Sequence, residues 1–294
     1  MWCIYSRYDF KKKAMIYLGV LGGILFSSDC VLAQQNQLVH SDFSTLMQAG
    51  FISNKTKNTQ IQKWHGYSQG GYVTLNLPLS ESVSMGLGYT YLKTDIKGNN
   101  PKENLYNDYY FVSGKYQPTK WYVSVLAGYN HGTYKRKEQP VLTQHHTDMY
   151  NVKLFSGYNL GNVNNYSGIK YTYIHPETNN LAGMPHKDGE VITAVIGTSF
   201  AKKYDTLAKI AFVPKMNLNL SYDLKSNSNQ ALVEIPDTDI AYVLNGRRLH
   251  RFALNGSVGV GIQFKALELE AKYGIDWRTD YLTQTGTASL KYHF

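Results

Sequence analysis

Residues 252–278 read FALNGSVGVGIQFKALELEAKYGIDWR, and their alternation decides the fold. Phe252, Leu254, Val258, Val260, Ile262 and Phe264 interleave with Ala253, Asn255, Ser257, Gly259, Gly261 and Gln263. After Lys265–Ala266 the pattern resumes, with Leu267, Leu269, Ala271, Tyr273, Ile275 and Trp277 against Glu268, Glu270, Lys272, Gly274, Asp276 and Arg278. Successive side chains of a strand point to opposite faces, so each run has one apolar face and one polar or small one. Both runs far exceed the mean globular strand of about 5–6 residues, and they match the roughly 9–11 that a tilted strand needs to cross a bilayer. Glycine, glutamate and lysine on one face would be costly in a dry sandwich core but suit a wet barrel interior.

The same signature recurs along the chain. Val83, Met85, Leu87, Tyr89 and Tyr91 oppose Ser84, Gly86, Gly88 and Thr90, and the terminal Ala288, Leu290, Tyr292 and Phe294 oppose Ser289, Lys291 and His293. Aromatic residues end the apolar faces: Tyr89/Tyr91, Trp121/Tyr129, Tyr150/Tyr158, Tyr171/Tyr173, Phe252/Phe264 and Tyr273/Trp277. Such placement matches the two interfacial girdles of an outer-membrane barrel. Short links at 78–82, 117–120, 161–165, 201–205 and 265–266 alternate with longer ones at 54–65, 94–103, 133–146, 175–188 and 223–249; 279–282 is a short exception. Counted back from Phe294, eleven strands are clear, the first being Gly66–Leu77. An even number is the rule, and Phe43–Ser53, with Met47, Ala49 and Phe51 on one face, supplies a twelfth, although TLMQAGFI also has some helical periodicity. The expected fold is an all-β, 12-stranded antiparallel transmembrane barrel over residues 43–294, with both ends in the periplasm.

Composition agrees. The 294 residues are 43% apolar and 14% aromatic but only 17% charged, with 25 Tyr and 2 Cys; mean hydropathy is −0.36. The aromatic content argues against disorder, two cysteines cannot staple a scaffold, and no apolar run reaches the ~20 residues of a membrane helix.

Residues 1–33 read as a secretory signal peptide. Lys11–Lys13 form the basic region, Ala14–Phe26 the apolar core, and Val31-Leu32-Ala33 the small-residue site, with cleavage expected after Ala33. Both cysteines, Cys3 and Cys30, leave with it, and the formal charge falls from +9 to +7. Residues 34–42 then form a short periplasmic segment before the barrel.

The chain resembles the translocator barrels of autotransporters (type V secretion). The resemblance runs through GYSQGGYVTLNLPLSESVSMGLGYTY (66–91), FVPKMNLNLSYDL (212–224), NGRRLHRFALNGSVGVGIQF (245–264) and the terminal TASLKYHF (287–294). It is most similar to the barrels of large surface antigens. By resemblance, Leu290, Tyr292 and Phe294 form the signal read by the barrel-assembly machinery, and the protein resides in the outer membrane of a Gram-negative bacterium. Only about nine residues separate the signal cut from the first strand, so the expectation is a translocator domain with no passenger of its own. The alternative is an adhesin-like or pore-forming barrel acting through its outer loops or lumen.

Other constellations carry less. His145 and His146 are adjacent, so in extended chain they face opposite ways and do not converge with Asp148 on a metal. Lys135-Arg136-Lys137, placed in an outer loop, has the charge to meet lipopolysaccharide phosphates or host glycans. Arg251 has lumen parity, and Glu268, Glu270, Lys272, Asp276 and Arg278 would form a structural network in the lumen. No histidine sits in a catalytic motif, so neither enzyme activity nor a metal or cofactor is expected. Expected partners are outer-membrane lipid and lipopolysaccharide, the assembly machinery, periplasmic chaperones, and host or surface ligands at the outer loops; nucleic acid is not among them.

Overall fold

The computed structural model describes residues 45–58, 65–97, 103–138, 141–176, 188–206, 210–226, 230–234, 241–245, 250–279 and 281–294. The signal segment, Ala33 and residues 34–42 lie outside them. Fifteen strands follow in chain order: β1 (Leu46–Asn58), β2 (His65–Pro78), β3 (Val83–Lys97), β4 (Glu103–Tyr116), β5 (Trp121–Glu138), β6 (Val141–Asn159), β7 (Val163–Pro176), β8 (Gly189–Ala201), β9 (Tyr204–Asp205), β10 (Ile210–Ser226), β11 (Gln230–Glu234), β12 (Ala241–Asn245), β13 (Phe252–Phe264), β14 (Leu267–Arg278) and β15 (Tyr281–His293).

Twelve of these, β1–β8, β10 and β13–β15, pair antiparallel with their neighbours around a closed barrel. Two pairings complete the circle. β10 joins β13 from Ile210↔Phe264 to Tyr222↔Phe252, and β1 joins β15 from Leu46↔His293 to Asn58↔Tyr281. Closure leaves no strand edge facing lipid, where an unpaired peptide group would cost several kcal/mol. The segment 46–53 is strand, not helix, and Met47, Ala49 and Phe51 share its outward face as expected.

Thr45, the first described residue, and Phe294 lie at the rim with the short turns. Phe294 N donates to Thr45 O at 2.9 Å. At that rim Lys265 takes the left-handed φ of 53° in the two-residue β13–β14 turn, and Gly161 takes φ 80° between β6 and β7. The rim with short turns is the periplasmic one in barrels of this kind.

Five expected links differ. The span 133–146 is not a loop: β5 and β6 pair out to Glu138↔Val141, making the tallest hairpin of the wall. Beyond the bilayer both faces of a hairpin meet water, so pairing continues without the apolar alternation that marks a membrane strand. β1 and β3 likewise run on to Asn58 and Lys97. The link after Ala201 is longer than expected, because β10 begins five residues before its first partner on β8 and pairs there with β9. In the span 223–249, β10 reaches Ser226 and β11 pairs with β12 as a separate two-stranded hairpin.

Inside the wall, large rings lie flat on glycines of adjacent strands. A Cβ at Gly157 would sit 2.6 Å from the Tyr122 ring, and one at Gly197 would sit 2.5 Å from that of Tyr166. Gly50 beneath Tyr72, Gly88 beneath Phe111 and Gly128 beneath Tyr109 repeat the arrangement. The rings therefore fill the wall instead of projecting across the lumen. The lumen face is less uniformly polar than expected: Ile52, Leu92, Leu105, Leu126, Tyr134 and Tyr281 join Tyr72, Tyr109 and Phe111 in one buried apolar cluster spanning β15 and β1–β5.

Candidate functional site: lumen wall and outer rim

Strand alternation sends every expected lumen charge of β14 inward. Glu268, Glu270, Asp276 and Arg278 are buried, while Leu269, Tyr273, Ile275 and Trp277 face out. Near the periplasmic rim, Glu270 is the hub of an ionic network. Lys291 from β15 lies 2.6 Å from its carboxylate and Lys272 2.9 Å, and Lys215 from β10 pairs with it as well. Lys215 also reaches Glu268 at 2.6 Å, with Lys291 at 3.5 Å and His293 at 3.6 Å. Lys291 is 1% exposed, so these carboxylates, rather than bulk water, surround its amino group. A second group lies toward the outer rim. Arg278 Nη1 donates to Asp223 Oδ2 at 2.7 Å and to His250 O at 3.1 Å, and the Thr193 hydroxyl donates to Asp223 Oδ1 at 2.8 Å. Tyr281 donates to Asp276 at 2.7 Å. Lys115, Lys153 and Lys170 line the lumen wall of β4, β6 and β7; Lys153 and Lys170 are direct cross-strand neighbours, and Lys115 Nζ lies 4.7 Å from the Tyr122 ring.

The charged lumen positions of β14 were readable in the sequence, but Lys215, Lys291 and Asp223 were missed as their partners. Arg251 precedes β13 and is exposed, so it does not join the lumen network its parity suggested.

On the outward face, Tyr89, Tyr110, Tyr129, Tyr150 and Tyr173 follow one another across β3–β7. Their rings approach to 5.0 Å (Tyr89–Tyr110), 5.2 Å (Tyr129–Tyr150) and 6.4 Å (Tyr150–Tyr173). One step further out, Asp108, His131, Asp148 and His175 form a cross-strand rung that continues to Asp188. Each aspartate is tied back to the tyrosine row: Tyr89 donates to Asp108 at 2.6 Å, Tyr129 to Asp148 at 2.8 Å and Tyr173 to Asp188 at 2.6 Å. His131 and His175 lie 2.8 and 2.9 Å from Asp148 and Asp188. In the link before β8, the Tyr173 hydroxyl and then His175 hold the Asp188 carboxyl below the usual carboxylate range. The sequence did carry a signal for this rung, because Asp108, Asp148 and Asp188 are spaced by 40 residues, as are Tyr89 and Tyr129. His146 and Asp148 both face outward; the side chain of His145 lies outside the described residues. Among the described residues no three His, Cys, Asp or Glu side chains converge as a metal-binding set.

Leu290 and Tyr292 of β15 and Phe294 just after it have outward parity, with Tyr292 and Phe294 rings edge to face at 4.7 Å.

A closed wall with an apolar outside, a charged inside and aromatic belts defines a transmembrane β-barrel of the Gram-negative outer membrane. The autotransporter beta-domain model matches residues 47–274. The chain belongs to the autotransporter beta-domain family. It is 19% identical to outer membrane protein A of Rickettsia rickettsii, over 83% of this chain and 12% of that protein. The chain thus spans about an eighth of the length of that curated relative. Among solved structures it is similar to the translocator domain of the autotransporter NalP from Neisseria meningitidis, with TM-score 0.66, 12% identity, and coverage of 90% of this chain and 95% of that one. It is also similar to the beta domain of the Bordetella autotransporter BrkA, with TM-score 0.62, 10% identity, and coverage of 85% and 100%. At such identities the two structures speak to the fold.

Proposed function

We propose that this barrel carries polypeptide across the outer membrane as a non-enzymatic type V translocator. The observation that carries the reading is the lumen wall. Its large rings are seated on glycines, and the charges of β14 are paired along the wall with those of β10 and β15, which keeps bulky groups from crossing the channel. In this reading residues 1–33 direct export and are cleaved after Ala33, and periplasmic chaperones and the assembly machinery receive the chain. The machinery reads Leu290, Tyr292 and Phe294, and the outer loops meet lipopolysaccharide and host or neighbouring-cell ligands.

The test is a protease-sensitive reporter inserted after residue 34 and expressed in a Gram-negative host. The reporter is expected at the cell surface, cut by added protease in intact cells. A reporter that stays periplasmic while the barrel shows its folded gel mobility would overturn the reading.

A further inference from the structure

We propose that Lys93 on β3 and Lys135 on β5 form, with Tyr106 between them on β4, a binding site for the phosphate groups of outer-leaflet lipid. Lys93 Nζ lies 6.0 Å from the centre of the Tyr106 ring and Lys135 Nζ 5.1 Å from the same centre, so one ring has an ammonium group near it from each neighbouring strand. A tyrosine ring attracts each ammonium group weakly and does nothing for their mutual repulsion. Their only ion pair among the described residues is Lys93 with Asp95, at 3.8 Å and half exposed on both sides. Among the described residues Lys135 has no carboxylate partner and Lys93 only this exposed one, so the two lysines have capacity for an external anion.

Position selects the anion. Tyr106 is the cross-strand neighbour of both Lys93 and Thr133, one step outward from Asp108 and two from Tyr110 of the tyrosine row. Lys93 lies between the buried lumen positions Leu92 and Thr94, so its side chain points away from the lumen. A cationic cradle just above an aromatic belt, facing outward, meets lipid headgroups, and lysines near a membrane surface favour an anionic one. Thr133, in register with Tyr106, and His146, hydrogen-bonded to Thr133 at 3.1 Å, add polar groups beside the cradle. The site depends on the outward orientation of this rim and not on polypeptide passage through the lumen.

The experiment refolds the full chain into phosphatidylcholine vesicles with increasing amounts of a bis-phosphorylated glucosamine lipid, its dephosphorylated counterpart, or inorganic phosphate in the buffer. The readout is the temperature at which the folded gel mobility is lost. The phosphorylated lipid is expected to raise that temperature saturably, and the other two additions to leave it unchanged. The Lys93→Gln/Lys135→Gln double variant should need about tenfold more lipid for the same shift, the equivalent of ~1.4 kcal/mol. Lys202→Gln/Lys203→Gln, the same charge change at the periplasmic rim, should respond as the wild type does. A wild-type response in the Lys93/Lys135 variant, an equal loss in the Lys202/Lys203 variant, no response in the wild type, or an equal response to inorganic phosphate would each overturn the proposal. Folded mobility of both variants in plain phosphatidylcholine separates this outcome from a failure to fold, and the reporter assay above is independent of it.

Discussion

Arg278 reaches Asp223 across an intervening strand, passing over the buried Ala253, with Nη1 and Oδ2 2.7 Å apart. β14 and β10 are not neighbours, so this pair clamps three strands at the site where the β11–β12 hairpin leaves the wall. Replacing Arg278 by Met strands a buried carboxylate, and the expected loss is about 3 to 5 kcal/mol. The Asp223→Leu/Arg278→Met double variant should recover much of it. Urea unfolding followed by folded gel mobility measures both, and equal losses in the single and double variants would refute the clamp.

Glu270 and Glu268 differ in what depends on them. Glu270 pairs with three lysines, whereas Glu268 pairs with two and with His293 at 3.6 Å. Glu270→Gln is therefore expected to lower the urea midpoint more than Glu268→Gln. The reverse order would mean that Glu268 organises the network.

Ring seating on glycine predicts a size-specific defect. Gly157→Val forces its side chain into the Tyr122 ring, an overpacking expected to cost about 1 to 3 kcal/mol. Adding Tyr122→Ala should return part of that loss, because the space reopens. A valine variant as stable as the wild type would show that the ring seats elsewhere.

Asp188 predicts a pH dependence confined to acid. Its carboxyl is depressed by Tyr173 and His175, so their contribution is complete above the unfolded-state value near 4 and fades as pH falls through the lower folded one. Amide exchange at the outer end of β7 should be flat from neutral pH down to about 4 after correction for intrinsic rates, then accelerate. Asp188→Asn should remove the step.

How much was legible follows from the physics of each feature. The inward and outward faces of β3, β13, β14 and β15 were readable because lipid on one side enforces period two over many residues. The β5–β6 extension was not, since Lys135, Arg136 and Lys137 look like a solvated loop once both faces are wet. Lumen charges on β14 could be counted, but finding Lys215 as their partner requires the register of β10 and β14 on β13, which depends on where β10 begins. Tyr122 over Gly157 is likewise a pairing between strands, invisible in either strand alone. The helical periodicity of 45–52 yielded to tertiary demand, because only a strand there gives β15 and β2 their ladder partners.

The seam between β1 and β15 sets the order of events in folding. Gln48 bonds to Ser289 and Asn54 to Thr285, contacts 241 and 231 residues apart. Such pairings cannot form until the final strand has been delivered, and the loop-closure entropy they require makes them slow. Until then two long apolar edges stand open, templates for wrong partners. Changes at Gln48 or Asn54 should thus appear first as a longer-lived unsealed intermediate, with little change in the finished barrel.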